Sequence, residues 1–185
     1  IRRRSGARIR MHEAEASLVA PIDASVFFTK TEVYLREHGV PEEHIRKMKK
    51  NARVVATGVE RFVPNLSIRE GDTVPYKSGN FDVLVTPGHS PALLSFYNAD
   101  AELLISTDML LERITPHIGI HSFSDGDPLS DYLKSLERLS KLTVQHILPS
   151  HGDVFRGYSK RIEAMKQHHR ERLDKIRGVV SRGEM

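Results

Sequence analysis

Thr86-Pro87-Gly88-His89-Ser90-Pro91 closes the β-rich run Phe81-Asp82-Val83-Leu84-Val85. Proline and glycine end the strand, and His89 stands in the first loop positions beyond it. The same situation recurs twice. Asp108 follows Ser106-Thr107 at the end of the run Glu102–Ser106. His151 follows Leu148-Pro149-Ser150, just past the run Val144–Leu148, with Gly152 behind it. Each is a metal-capable side chain beyond a buried strand. A rigid sheet fixes such a residue while the loop leaves room for solvent or substrate. A lone loop histidine is ordinarily only a polar loop residue, and a lone Asp after a strand is ordinarily a turn former or helix cap. The joint pattern is what points to a site.

Around these strands the chain reads as mixed α/β. Arg8 to Met11 alternates polar and apolar residues and predicts a short strand. Residues 24–51 predict a helical hairpin, broken by Gly39 and Pro41, with Pro41-Glu42-Glu43 opening its second arm. Leu93–Tyr97 and Glu102–Ser106 flank a polar turn and predict a β-hairpin. Asp127 and Pro128 open an amphipathic helix to about Leu139, its stripe made by Leu129, Tyr132, Leu133, Leu136 and Leu139. A last helix runs from about Tyr158 to Val180, with Ile162, Met165, His169, Leu173 and Ile176 on one face.

Composition narrows the class. A chain of 185 residues with 39% hydrophobic and 28% charged residues is globular in character and fits one domain, residues 1–185. No apolar run approaches a membrane span, no signal-peptide pattern appears, and cytoplasm is the expected compartment. Cysteine is absent, so any metal must be held by His, Asp or Glu. The net charge of +4 hides basic ends: residues 1–10 carry five Arg and no acid, and residues 159–185 carry eight basic and four acidic residues. The middle is therefore acidic, unlike the continuous basic face usual in a nucleic-acid binder, which favours solvated faces and leaves a phosphate-tracking surface at the basic ends as the alternative.

Thr86 to Pro91, then Ser106-Thr107-Asp108, then Leu148 to Gly152, resemble in order the second half of the metallo-β-lactamase superfamily. That family reads T-P-G-H-[ST]-P-G-H, then G-D, then P-x-H-G. The likeness runs from about Ile9 to Arg182. Asp127 to Leu136 and the helix bearing His168 and His169 resemble a hydrolase branch, similar to glyoxalase II, whose members often carry a winged-helix tail. The resemblance implies an αββα sandwich with the metal site between sheet edges. It would make His89 a ligand of the first metal, Asp108 the bridging carboxylate and His151 a ligand of the second.

The family's main signature, H-x-H-x-D-H, is absent from the ten histidines. His117-Ile118-Gly119-Ile120-His121 is the nearest imitation, lacks the acid, and reads as structural. The chain begins at Ile1, and the expectation is a sandwich incomplete at its N-terminus. Alone, it should bind metal weakly or not at all, be inactive, and expose apolar surface at Phe81–Val85 and Leu93–Tyr97 that a homodimer or a front segment would cover.

The complete protein is expected to hold two divalent ions, zinc first, with iron or manganese as alternatives. A carboxylate between two cations screens their repulsion, and water shared by them is activated as a nucleophile near neutral pH. The implied reaction is hydrolysis of a small-molecule ester, thioester or lactone, with the helical insert at 24–51 as a substrate wall. The alternatives are an endoribonuclease of the same fold acting on RNA, and a non-catalytic scaffold.

Overall fold

A computed structural model of the chain describes residues 2–19, 24–58, 62–77, 79–120 and 126–183. It divides into two compact units, Ile1–Ile68 with Ile120–Gly126, and Arg69–Gly119 with Asp127–Met185. Among the described residues no helix is long and apolar enough to cross a membrane.

The first unit is mainly helical, with α1 (Arg2–Ser5), β1 (Arg10–Met11), α2 (Glu13–Val19), α3 (Ala24–Glu37), α4 (Glu42–Gly58) and β2 (Leu66–Ser67). β1 and β2 pair in parallel, Arg10 opposite Leu66. The helical hairpin is present, but α4 continues to Gly58, past the expected end at residue 51. Gly39 turns the chain between its arms with φ 73°. Arg36 of α3 grips Glu42 at the head of α4 through two hydrogen bonds of 2.9 and 3.0 Å.

The second unit carries β3 (Thr73–Tyr76), β4 (Gly79–Val85), β5 (Leu94–Asn98), β6 (Leu103–Thr107), α5 (Pro128–Leu139), β7 (His146–Pro149) and α6 (Tyr158–Arg182). Its strands form one sheet in the order β3-β4-β5-β6-β7. Neighbours are antiparallel up to β6, and β7 lies parallel to β6. A parallel neighbour needs a crossover, and α5 supplies it. α5 starts where the sequence predicts, with the Asp127 carboxylate accepting the Ser130 N–H at 3.0 Å. β5 and β6 each lie one residue later than expected.

Leu104 and Ile147 on one sheet face pack with Tyr132, Leu136 and Leu139 of α5 and Ile162 and Met165 of α6. Burial of each such side chain contributes about 1.5–3 kcal/mol, enough to fix both helices on the sheet. The stripe on α6 holds through His169 but fails at Ile176, which is 54% exposed. α6 has 25 residues and α5 only 12. At 1.5 Å per residue they span about 37 and about 18 Å, so α6 overhangs its partner. Phe81–Val85 and Leu93–Tyr97 do not stand uncovered as expected: Val83 is fully buried, and the other apolar residues of these runs are partly buried.

β4 outruns its edge neighbour, since β3 pairs with it only as far as Asp82. An ion pair takes the place of the missing strand. The Glu70 carboxylate accepts the Val85 N–H, while Arg138 donates to the Val85 carbonyl at 3.2 Å and to Glu70 at 3.1 Å. Burial pushes the Glu70 carboxyl up, but the Arg138 and Val85 donors together outweigh it and hold the group below its usual range. A carboxyl depressed on folding stabilises above its unfolded value of about 4.3, and that contribution is lost as pH falls through the lower folded value. Glu70→Gln should therefore lower the melting temperature by about 2–4 °C near pH 7, with the two proteins converging in acid. Thermal melts across the pH range check this. A gap that stays constant into strong acid would show that the carboxylate charge is not what matters.

Candidate metal centre

Sheet topology gathers the three candidate residues at one edge. β5 runs opposite to both β4 and β6, so β4 and β6 point the same way, and β7 is parallel to β6. The chain therefore leaves β4, β6 and β7 at the same end of the sheet, and His89, Asp108 and His151 lie in those three exits. They meet there. Asp108 Oδ2 is 3.8 Å from His89 Nε2, and Asp108 Oδ1 is 3.5 Å from His151 Nε2.

Each residue is held by its own scaffold. Below His89, Thr86 closes the strand end through its N–H to the Leu93 carbonyl at 2.7 Å. The Ser135 hydroxyl of α5 donates to the Pro87 carbonyl at 2.8 Å. Gly88 takes φ 139° directly against Tyr132 of α5. The His89 ring is then oriented by its Nδ1, which lies 2.8 Å from the His117 carbonyl. A carbonyl only accepts, so Nδ1 is the donor there, and Nε2 is the ring nitrogen that faces Asp108. This is the arrangement by which metal-ligating histidines are commonly steered.

Asp108 rests on a rigid turn. Met109 N–H donates to the Ser106 carbonyl at 3.0 Å, and the Ser106 hydroxyl donates to the Leu110 carbonyl at 2.7 Å. The Tyr132 hydroxyl donates to the Met109 carbonyl at 3.2 Å, and burial pushes that phenol well above its ordinary range, keeping it a donor. His151 sits in a loop closed by reciprocal backbone hydrogen bonds between Ile147 and Phe155 at 3.0 and 3.1 Å. It is 69% exposed, against 26% for Asp108 and 33% for His89, so the trio opens to solvent on the His151 side. A cleft of about 290 Å³ borders it there, lined by Leu111, Ile114, His151 and Asp153 among others. Arg161 of α6 braces this wall, donating to the Leu111 and Ile114 carbonyls at 2.6 and 2.7 Å.

The separations within the trio have chemical content. At 3.5 and 3.8 Å the imidazole and carboxylate atoms are too far apart for hydrogen bonds. Two ligand atoms each about 2.1 Å from one tetrahedral ion stand about 3.4 Å apart. Each pair of one imidazole nitrogen and one carboxylate oxygen therefore stands near the separation of two ligand atoms on one ion. Among the described residues no group of three His, Asp or Glu closes far enough to hold an ion unaided. Each half of the trio offers one nitrogen and one oxygen, while a tetrahedral ion takes four ligands.

Sequence reasoning missed how Gly88 meets Tyr132 and how His89 meets the His117 carbonyl, because both contacts are long-range. His117 acts on His89 through its backbone, so its side chain carried no signal. His121 lies outside the described residues.

Residues 2–151 match the family described as "Metallo-beta-lactamase superfamily". Among curated relatives, "Probable metallo-hydrolase YqjP" of Bacillus subtilis is 28% identical over 163 residues, covering 86% of this chain and 50% of the relative. "Acyl-coenzyme A thioesterase MBLAC2" of Homo sapiens is 26% identical over 155 residues, covering 80% of this chain and 50% of the relative. The chain thus spans about half the length of the curated relatives it matches. The solved metallo-beta-lactamase family protein TTHA1429 of Thermus thermophilus superposes with a TM-score of 0.76 at 28% identity, over 91% of this chain and 55% of that one. On this match, with the topology that brings three strand exits together, the chain belongs to the metallo-beta-lactamase superfamily.

Proposed function

We propose that the protein containing this chain is a metal-dependent hydrolase of a small ester, thioester or lactone, with His89, Asp108 and His151 as metal ligands. The observation that carries the reading is the split of the Asp108 carboxylate, one oxygen toward each histidine at ligand-to-ligand spacing. Relatives named as a metallo-hydrolase and as an acyl-coenzyme A thioesterase support hydrolysis and make a thioester the first substrate to try.

His89 and His151 would each give an Nε2 lone pair, and Asp108 one oxygen to each side. Two divalent ions held there, zinc first, would polarise the carbonyl under attack and make water acidic enough to deliver a nucleophile near neutral pH. The cleft beside His151 would take the substrate, with Leu111 and Ile114 as its apolar wall and Arg161 keeping that wall in place.

The test is metal analysis and turnover in the full-length protein. His89→Ala and His151→Ala should each lower bound metal, by about tenfold or more in affinity. His117→Ala should leave it unchanged, since the carbonyl that orients His89 belongs to the backbone. The opposite ranking would overturn the ligand assignment. Cleavage of single-stranded RNA without thioester or ester turnover would overturn the substrate class.

A further inference from the structure

We propose that Thr107 is a positioning residue for the metal centre, turning the Asp108 carboxylate out of the sheet and locking it to the strands on either side. The inference rests on the reading of Asp108 as a shared ligand. Among the described residues only Glu102 and Thr107 have positive φ without being glycine, at 48° and 50°. Glu102 lies in the turn between β5 and β6, where such angles are ordinary. Thr107 is the last residue of a strand and β-branched, which makes it a true outlier.

The surroundings show what maintains it. The Thr107 hydroxyl donates to the Leu94 carbonyl on β5 at 2.8 Å. Its own carbonyl accepts the Ser150 N–H, next to His151, at 3.1 Å. The β6–β7 register slips between Ile105 and Thr107, so the last pairing is Thr107 with Pro149. One residue thus ties the first strand of the hairpin, the turn of Asp108 and the loop of His151. The left-handed backbone changes the direction of the chain as it enters Asp108, and the hydroxyl tether holds it there. Glycine would adopt such a φ freely. Here Thr107 adopts it while adding a side-chain tether that glycine cannot supply.

Three variants separate the backbone angle from the tether. Thr107→Ser keeps the hydroxyl, Thr107→Gly keeps access to the angle without a tether, and Thr107→Val keeps the shape without the hydroxyl. Zinc affinity of the full-length protein should stay within about threefold for Thr107→Ser and fall by about tenfold or more for the other two. Crystal structures should show the Asp108 carboxylate displaced by more than about 0.5 Å in Thr107→Gly. Amide exchange at Ser150 should quicken in Thr107→Gly and not in Thr107→Ser. Unchanged zinc affinity and an unmoved carboxylate in Thr107→Gly would overturn the proposal, whatever becomes of Thr107→Val as a folded protein. Should the wild-type protein take up no divalent metal, the metal reading fails instead, and the carboxylate displacement and Ser150 exchange still decide whether Thr107 positions Asp108.

Discussion

Gly88→Ala is expected to lower the melting temperature by about 10–15 °C, the largest loss any small substitution should cause here. A Cβ at this position would stand 2.5 Å from Tyr132 Cβ, 2.6 Å from its Cα and 2.9 Å from its backbone nitrogen. These are atoms of a helix whose apolar face is anchored in the core, not the tip of a side chain that could swing away. Overpacking of this kind costs about 1–3 kcal/mol. A φ of 139° adds strain for any residue with a Cβ, about another 1–3 kcal/mol. Together they approach the lower end of a domain's whole stability. Gly152→Ala is the control, since Gly152 also has a positive φ, 88°, but a Cβ there meets nothing within 4 Å. It should lose only the conformational part, a shift of a few degrees. Calorimetry on both variants checks the argument. Equal losses would mean that contact with α5 is not what requires the glycine.

Asp108→Asn should leave the fold nearly intact and abolish function. The substitution keeps shape but removes the charge that would screen two cations, and an amide cannot offer an anionic oxygen to each side. In the full-length protein, loss of one of the two metals is expected, with turnover reduced by about a hundredfold or more. The melting temperature of the metal-free protein should move little. Metal stoichiometry and kcat/KM measured together give the answer. A variant that retained two metals and a near-normal rate would remove Asp108 from the bridging role.

Much of this was legible in the sequence because local chemistry and tertiary need agree. α5 begins at Pro128 because Asp127 supplies the cap oxygen, and it ends at Leu139 where its apolar stripe ends. His89, Asp108 and His151 stood out as candidates because each lies in the loop just beyond a strand and their three motifs resemble the family's in order, and the alternation of strand direction brings them to one end of the sheet. Where reading failed, an uncommon residue did a common job. α2 was missed because the side chain that caps its start is His12, whose Nδ1 accepts the Ala14 N–H at 3.2 Å, and not a Ser, Thr, Asp or Asn. β3 was missed because Pro75 argues against a strand, yet a proline is tolerated at a sheet edge. The strain at Thr107 was invisible because conformation is not written in residue type.

The sheet also protects itself from growth. A strand edge left open invites another chain to continue the ladder, the usual beginning of aggregation. On one side β3 is only four residues long, and Pro75 in its middle withholds a donor. On the other, Phe155 folds back and bonds to Ile147 of β7 in antiparallel fashion. Neither flank offers an incoming strand a full run of free backbone groups. The loop that carries His151 therefore has a second consequence: by returning Phe155 to β7, it seals the edge along which this sheet would otherwise polymerise.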